Sequence, residues 1–103
     1  MKTKQQKTMT AGQVELMCEK FANQFWKNDG ALFVKLELVN NEEADNLFDM
    51  IKRSERGYYH RATTAGRFVV MSFGVEMEDT PLISYFKVRS IVENYKVKSI
   101  KLF

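Results

Sequence analysis

The sequence predicts an α+β protein: a four-stranded antiparallel sheet built in the order β-α-β-β-α-β, with one amphipathic helix ahead of it. Three observations carry that expectation. Apolar residues alternate over residues 31–39, between stretches whose apolar residues recur every three or four positions. Two further strand-like runs meet at a turn that includes Ala65-Gly66. Thr80-Pro81 then reads as a cap and first helical residue, ahead of a last helical stripe and a short terminal strand.

Residues 1–9 are polar and without period, and are expected to form a mobile tail ahead of a single domain over residues 10–103. Thr10 is an N-cap candidate, with Gln13 completing a capping box. Val14, Met17, Cys18, Phe21 and Phe25 then form one stripe on a helix of about five turns at ~3.6 residues each. Asp29-Gly30 stops it. In the first strand Leu32, Val34, Leu36 and Leu38 point one way, and Phe33, Lys35 and Glu37 the other. Asn40-Asn41 opens the next helix, with stripe Ala44, Leu47, Phe48 and Ile51. Its first turn is acidic, and its last turn holds Lys52, Arg53 and Arg56 before Gly57.

Residues 58–64 and 67–75 read as a hairpin. With an even loop, Phe68 and Val70 share a face with Arg61 and Tyr59, and Val69, Met71 and Phe73 share the other with Tyr58, His60 and Ala62; a three-residue loop exchanges the first strand's faces. Over residues 80–94, Tyr85, Val88, Ile91, Val92 and Tyr95 fit a helix. The β-branched and aromatic content of that stretch leaves a hairpin over residues 86–103 as the alternative. The helix completes a compact layer, so the expected fold class is ferredoxin-like βαββαβ with an additional N-terminal amphipathic helix. Sequence does not place that extra helix: it can shield the open sheet face, extend the helical layer, or pair with its own copy in a homodimer.

Composition bounds the function. A chain of 103 residues, 45 % hydrophobic and 13 % aromatic, suits one globular unit. No apolar run approaches the ~20 residues that span a bilayer, and no apolar stretch follows Lys2, Lys4 and Lys7 as in a secretory leader. One cysteine excludes an internal disulfide, so a soluble cytoplasmic protein is expected. The formal charge is +3. Acids gather at expected helix starts (Glu42, Glu43, Asp45 and Asp49; then Glu76, Glu78 and Asp79). Residues 52–67 hold five cations against Glu55, and Lys96, Lys98 and Lys101 follow on the last strand.

Catalytic chemistry finds little support. His60 lacks an orienting partner, and Cys18 lies on an apolar stripe where a thiol acts as a small hydrophobe. One histidine and one cysteine make no metal set, and Gly57, Gly66 and Gly74 are too isolated for a phosphate loop. No cofactor or metal is expected, and no enzyme. What remains is a sheet face carrying Phe33, Lys35, Tyr59, Arg61 and Phe68, with Arg67 and Arg56 beside it and the terminal lysines at its border. Two functions use such a face. One is docking on a protein partner, as a small adaptor or inhibitor of the kind that phages and mobile elements encode. The other is binding single-stranded RNA or DNA, with bases stacked on rings and phosphates on cations.

Leu32-Phe33-Val34 and the run from Arg67 to Phe73 lie where an RNA-recognition motif places its two conserved strands. The details depart from that motif. Leu36 and Glu37 stand where it has other residues, glycine and arginine are in reversed order, and one stacking aromatic of two is matched. No membership follows from it.

Overall fold

The N-terminal stripe folds as two helices, not one. The computed structural model describes residues 8–54 and 61–103, with Arg61 described by its backbone alone. Helix α1 (Ala11–Glu15) opens on the expected capping box: the Gln13 N–H donates to Thr10 Oγ1, and the Thr10 N–H donates to Gln13 Oε1. The expected five-turn helix breaks at Leu16-Met17. There the Met17 N–H bonds Val14 O, three residues back, and the tightened turn re-aims the chain into α2 (Cys18–Lys27). Ahead of α1, the Met9 N–H donates to Val97 O at 2.7 Å and its side chain packs on the core. The chain is therefore already anchored at Met9, which the polar pattern left in the tail.

Asp29 and Gly30, with φ of 57° and 90°, turn the chain out of α2. A Cβ on Gly30 would stand 2.9 Å from Val75 Cγ1, so both backbone and neighbour require glycine there. Strand β1 (Ala31–Leu38) follows with the predicted alternation, burying Leu32, Val34, Leu36 and Leu38. Helix α3 (Asn41–Arg53) is capped by Asn40, whose Oδ1 accepts the Glu43 N–H. It ends at Arg53, earlier than the charge pattern implied. Ser54 is extended, and both its backbone N–H and its hydroxyl donate to Ile51 O, one of the helix's terminal carbonyls. Arg56 and Gly57, expected at that helix end, lie outside the described residues.

Strands β2 (Arg61–Ala65) and β3 (Phe68–Gly74) are joined by Gly66-Arg67. Gly66 takes a φ of 62°, as the first central residue of a tight two-residue hairpin turn requires. The loop is even. Arg67 is consequently a turn residue and not the first of β3. At the other end Val75, expected in the strand, leaves it: its N–H goes to Gly30 O and residues 75–77 form a 3₁₀ turn. The hairpin alternative for the last third is not adopted. Helix α4 (Pro81–Asn94) has Thr80 Oγ1 accepting the Ile83 N–H, with proline in its first turn. Strand β4 (Val97–Leu102) closes the chain.

The fold is α+β. Its sheet has the order β2-β3-β1-β4 with every neighbouring pair antiparallel. Helix α2 lies over β1 and β4, α3 lies over β2, β3 and β1, and α4 packs on α1 and α2. Val14, Phe21 and Phe25 join Leu47, Val88, Ile91 and the inward strand residues in one buried cluster. The extra helical segment therefore joins α3 over one face of the sheet, with α4 packed on it, and among the described residues no helix lies over the other face.

Several acids depart from the expected helix-start role: Asp49 lies late in α3, paired with Arg53, and the first turn of α4 holds no acid. Glu42 and Glu43 sit in the first turn of α3 as predicted. Asp79 instead is buried, accepting the Gly74 N–H at 3.0 Å and the Lys87 ammonium at 3.3 Å. It ties the end of β3 to α4 and is not a solvated helix-start acid.

Candidate functional site

The open face of the sheet is assembled by two-residue alternation on three strands. In the ladder Phe33 stands between Ser72 of β3 and Phe103, just beyond β4, with which it exchanges two backbone hydrogen bonds at 2.9 Å. Lys35 stands between Val70 and Lys101, and Glu37 between Phe68 and Ser99. Because β3 pairs with β1 without a bulge, Phe68, Val70 and Ser72 all fall on this face.

Phe33 is 41 % exposed and Phe103 45 %; their rings stack at 5.8 Å with 20° between planes. Phe68 carries two cations. Lys35 Nζ lies 4.6 Å from its centroid and the Arg67 guanidinium 5.3 Å. A shallow depression of about 180 Å³ lies beside Phe33, walled by Thr63, Val70 and Ser72.

Glu37 is the one acid among these residues and organises their edge. Its carboxylate accepts Arg67 Nε at 2.7 Å and Ser99 Oγ at 3.2 Å, and Lys98 Nζ stands 3.8 Å away. The Arg67 hydrogen bond above all holds its pKa below the usual carboxylate value, against partial desolvation. The stability contributed by ionised Glu37 is accordingly complete above its unfolded-state pKa, and is lost as pH falls through the lower folded value. Urea midpoints of wild type and Glu37→Gln should differ near neutrality and converge as the solution is acidified through the carboxylate range. A gap independent of pH would show that the ion pairs contribute nothing.

The structure thus gathers Phe33, Lys35, Phe68 and Arg67 from the predicted set. Arg61 enters the ladder opposite Ser72. Tyr59 and Arg56 lie outside the described residues, as does His60. Phe103 escaped the sequence reading. The terminal lysines, Lys96, Lys98 and Lys101, are spaced two and then three apart, and that change of phase hid the strand's outward set. A bulge opposite Glu37 and Leu38 absorbs the extra residue and returns Ser99, Lys101 and Phe103 to one face. An aromatic two places beyond a lysine at the end of a strand was the available signal.

Among the described residues no three histidines, cysteines, aspartates or glutamates gather as a metal site, and no helix is long and apolar enough to cross a membrane. Cys18 is half-buried against the core. No protein-family model, no curated protein and no solved structure matches this chain.

Proposed function

We propose that this is a small non-enzymatic binding protein that docks on a partner protein through the open face of its sheet, as an adaptor or inhibitor does. We further read its layout as the ferredoxin-like arrangement with an added N-terminal helical segment, in which helices cover one face and leave the other free. The observation that carries the functional reading is the composition of that free face. Phe33, Phe68 and Phe103 stand partly exposed among Lys35, Arg67 and Lys101, with no described element packed over them. Large rings beside arginine are the residue types that concentrate binding energy at protein interfaces.

Single-stranded nucleic acid is the second reading, favoured by the placement of rings on the two central strands, β1 and β3. Two observations weigh against it. Phe33 and Phe68 are displaced by four residues along their strands, ~13 Å at ~3.3 Å per residue. The cations nearest Phe68 are also engaged, Arg67 by Glu37 and Lys35 by the ring itself.

The test is capture by the immobilised full chain from its native cell extract, followed by measurement with the purified partner. Phe33→Ala and Phe68→Ala are each expected to weaken that complex by about 2 kcal/mol, roughly thirtyfold, with the variants still folded. A partner that binds both variants as tightly as wild type would refute docking on this face. Labelled single-stranded oligonucleotides are expected to show no retention at low salt. Retention that falls steeply as salt rises would move the conclusion to the second reading.

A further inference from the structure

We propose that the groove between α2 and the free edge of β4 receives an extended acidic peptide segment, which adds to the sheet as a further strand. This site is separate from the open face. Strand β4 is an edge strand, with no described strand on its outer side. Phe103 exchanges its backbone bonds with Phe33, and Lys101 and Ser99 follow in register with Lys35 and Glu37. By antiparallel alternation the N–H and C=O groups of Ile100 and Leu102 therefore point away from β1. Val97 O, nearer the start of the strand, is occupied by the Met9 N–H.

Beside these outward groups runs a groove of about 510 Å³. Met17, Ile100 and Leu102 supply its apolar wall, each partly buried against the core. Lys20, Lys27 and Lys101 line it as well, and its remaining lining residues are two uncharged amides, Asn23 and Gln24. A strand entering here finds what strand addition uses: main-chain partners along one edge, and a pocket for alternate side chains. The ammonium groups of Lys20 and Lys27, with no acid among the lining residues, select carboxylates on the entering segment.

Charge also argues against the two self-derived occupants. The chain's first seven residues carry Lys2, Lys4 and Lys7 and no acid, so they would bring like charge to the groove. Two copies paired β4 to β4 would bring the lysines at 98 and 101 of both strands together along one seam, and edge lysines of this kind discourage such pairing.

The probe is a fluorescein-labelled octapeptide alternating glutamate and valine, titrated into the full chain and read by anisotropy. Binding is expected. The double variant Lys20→Glu/Lys27→Glu, both exposed positions, should weaken it on the order of tenfold while leaving the urea midpoint unchanged. Hydrogen exchange of the Ile100 and Leu102 amides should slow when peptide is bound. The same peptide N-methylated at alternate residues keeps its charge but cannot pair along the edge, and should not bind. Absence of binding at low salt, equal binding of the methylated peptide, an unaffected double variant, or unaltered exchange at Ile100 and Leu102 would each overturn the proposal. So would sedimentation showing a dimer that protects those amides without peptide.

Discussion

Replacing Lys87 with methionine is expected to lower the stability of the fold by about 3–5 kcal/mol, read as a shift in urea midpoint at unchanged slope. Lys87 and Asp79 form an ion pair whose side chains are 8 % and 2 % exposed. The Asp79 carboxylate accepts the Lys87 ammonium through one oxygen and the Gly74 N–H through the other, while the Asp79 N–H donates to Gly74 O. Methionine keeps the length of the stem that carries the ammonium to within 5.8 Å of the Phe73 ring, so packing is largely retained while the charge and the hydrogen bonds of the ammonium are lost. Asp79 is then a buried carboxylate whose compensating cation is gone. The double variant Asp79→Asn/Lys87→Met should recover much of the loss, because an amide oxygen can still accept from Gly74 with no charge to desolvate. Strict additivity across that cycle would show that the two residues are not energetically coupled.

Nothing in the local sequence marks that pair, and the reason is instructive. Asp79 follows Glu76 and Glu78 and precedes Thr80-Pro81, which is how a solvated acid beside a helix start reads. Its burial depends on Val75 leaving the sheet to bond Gly30, a contact 45 residues distant in sequence that no periodicity encodes. Where a segment's environment is set by its own neighbours, sequence pattern and structure agree. The first strand's faces, the caps at Thr10, Asn40 and Thr80, and the helix over residues 81–94 all follow from side chains within a few positions of one another.

The candidate face was legible for the same reason and incomplete for a related one. Phe33 and Lys35 were placed by alternation within β1, and Phe68 by the even loop of the hairpin. Phe103 depended on a bulge, a two-strand property that cannot be read from either strand alone. Arg67 was misplaced by one residue into β3, yet the turn delivers its guanidinium to Glu37 and Phe68 on the same face. The break at Leu16-Met17 was invisible because Val14, Cys18, Phe21 and Phe25 keep helical spacing straight across it. Only the differing neighbours of α1 and α2, helix α4 for one and the sheet as well for the other, require the bend.

Phe21→Ala should be as damaging as the loss of the ion pair, about 3–5 kcal/mol, and its comparison with Phe33→Ala decides which face of the sheet is free. Phe21 is fully buried and meets the Tyr85 ring edge-on at 5.9 Å, so its removal opens a cavity between α2 and α4 above the sheet. That region is too tightly shared among helices to collapse without moving one of them. Phe33, by contrast, already has 41 % of its surface in water and loses mainly its stacking on Phe103. Its substitution should cost about 1 kcal/mol or less. The asymmetry is a property of the layer order: helices above β1 bury Leu32 and Val34, while the alternate residue Phe33 projects from the opposite face. If Phe33→Ala proved as destabilising as Phe21→Ala, the ring would be part of a covered core. The sheet would then have no open face, and docking through it would lose its physical basis.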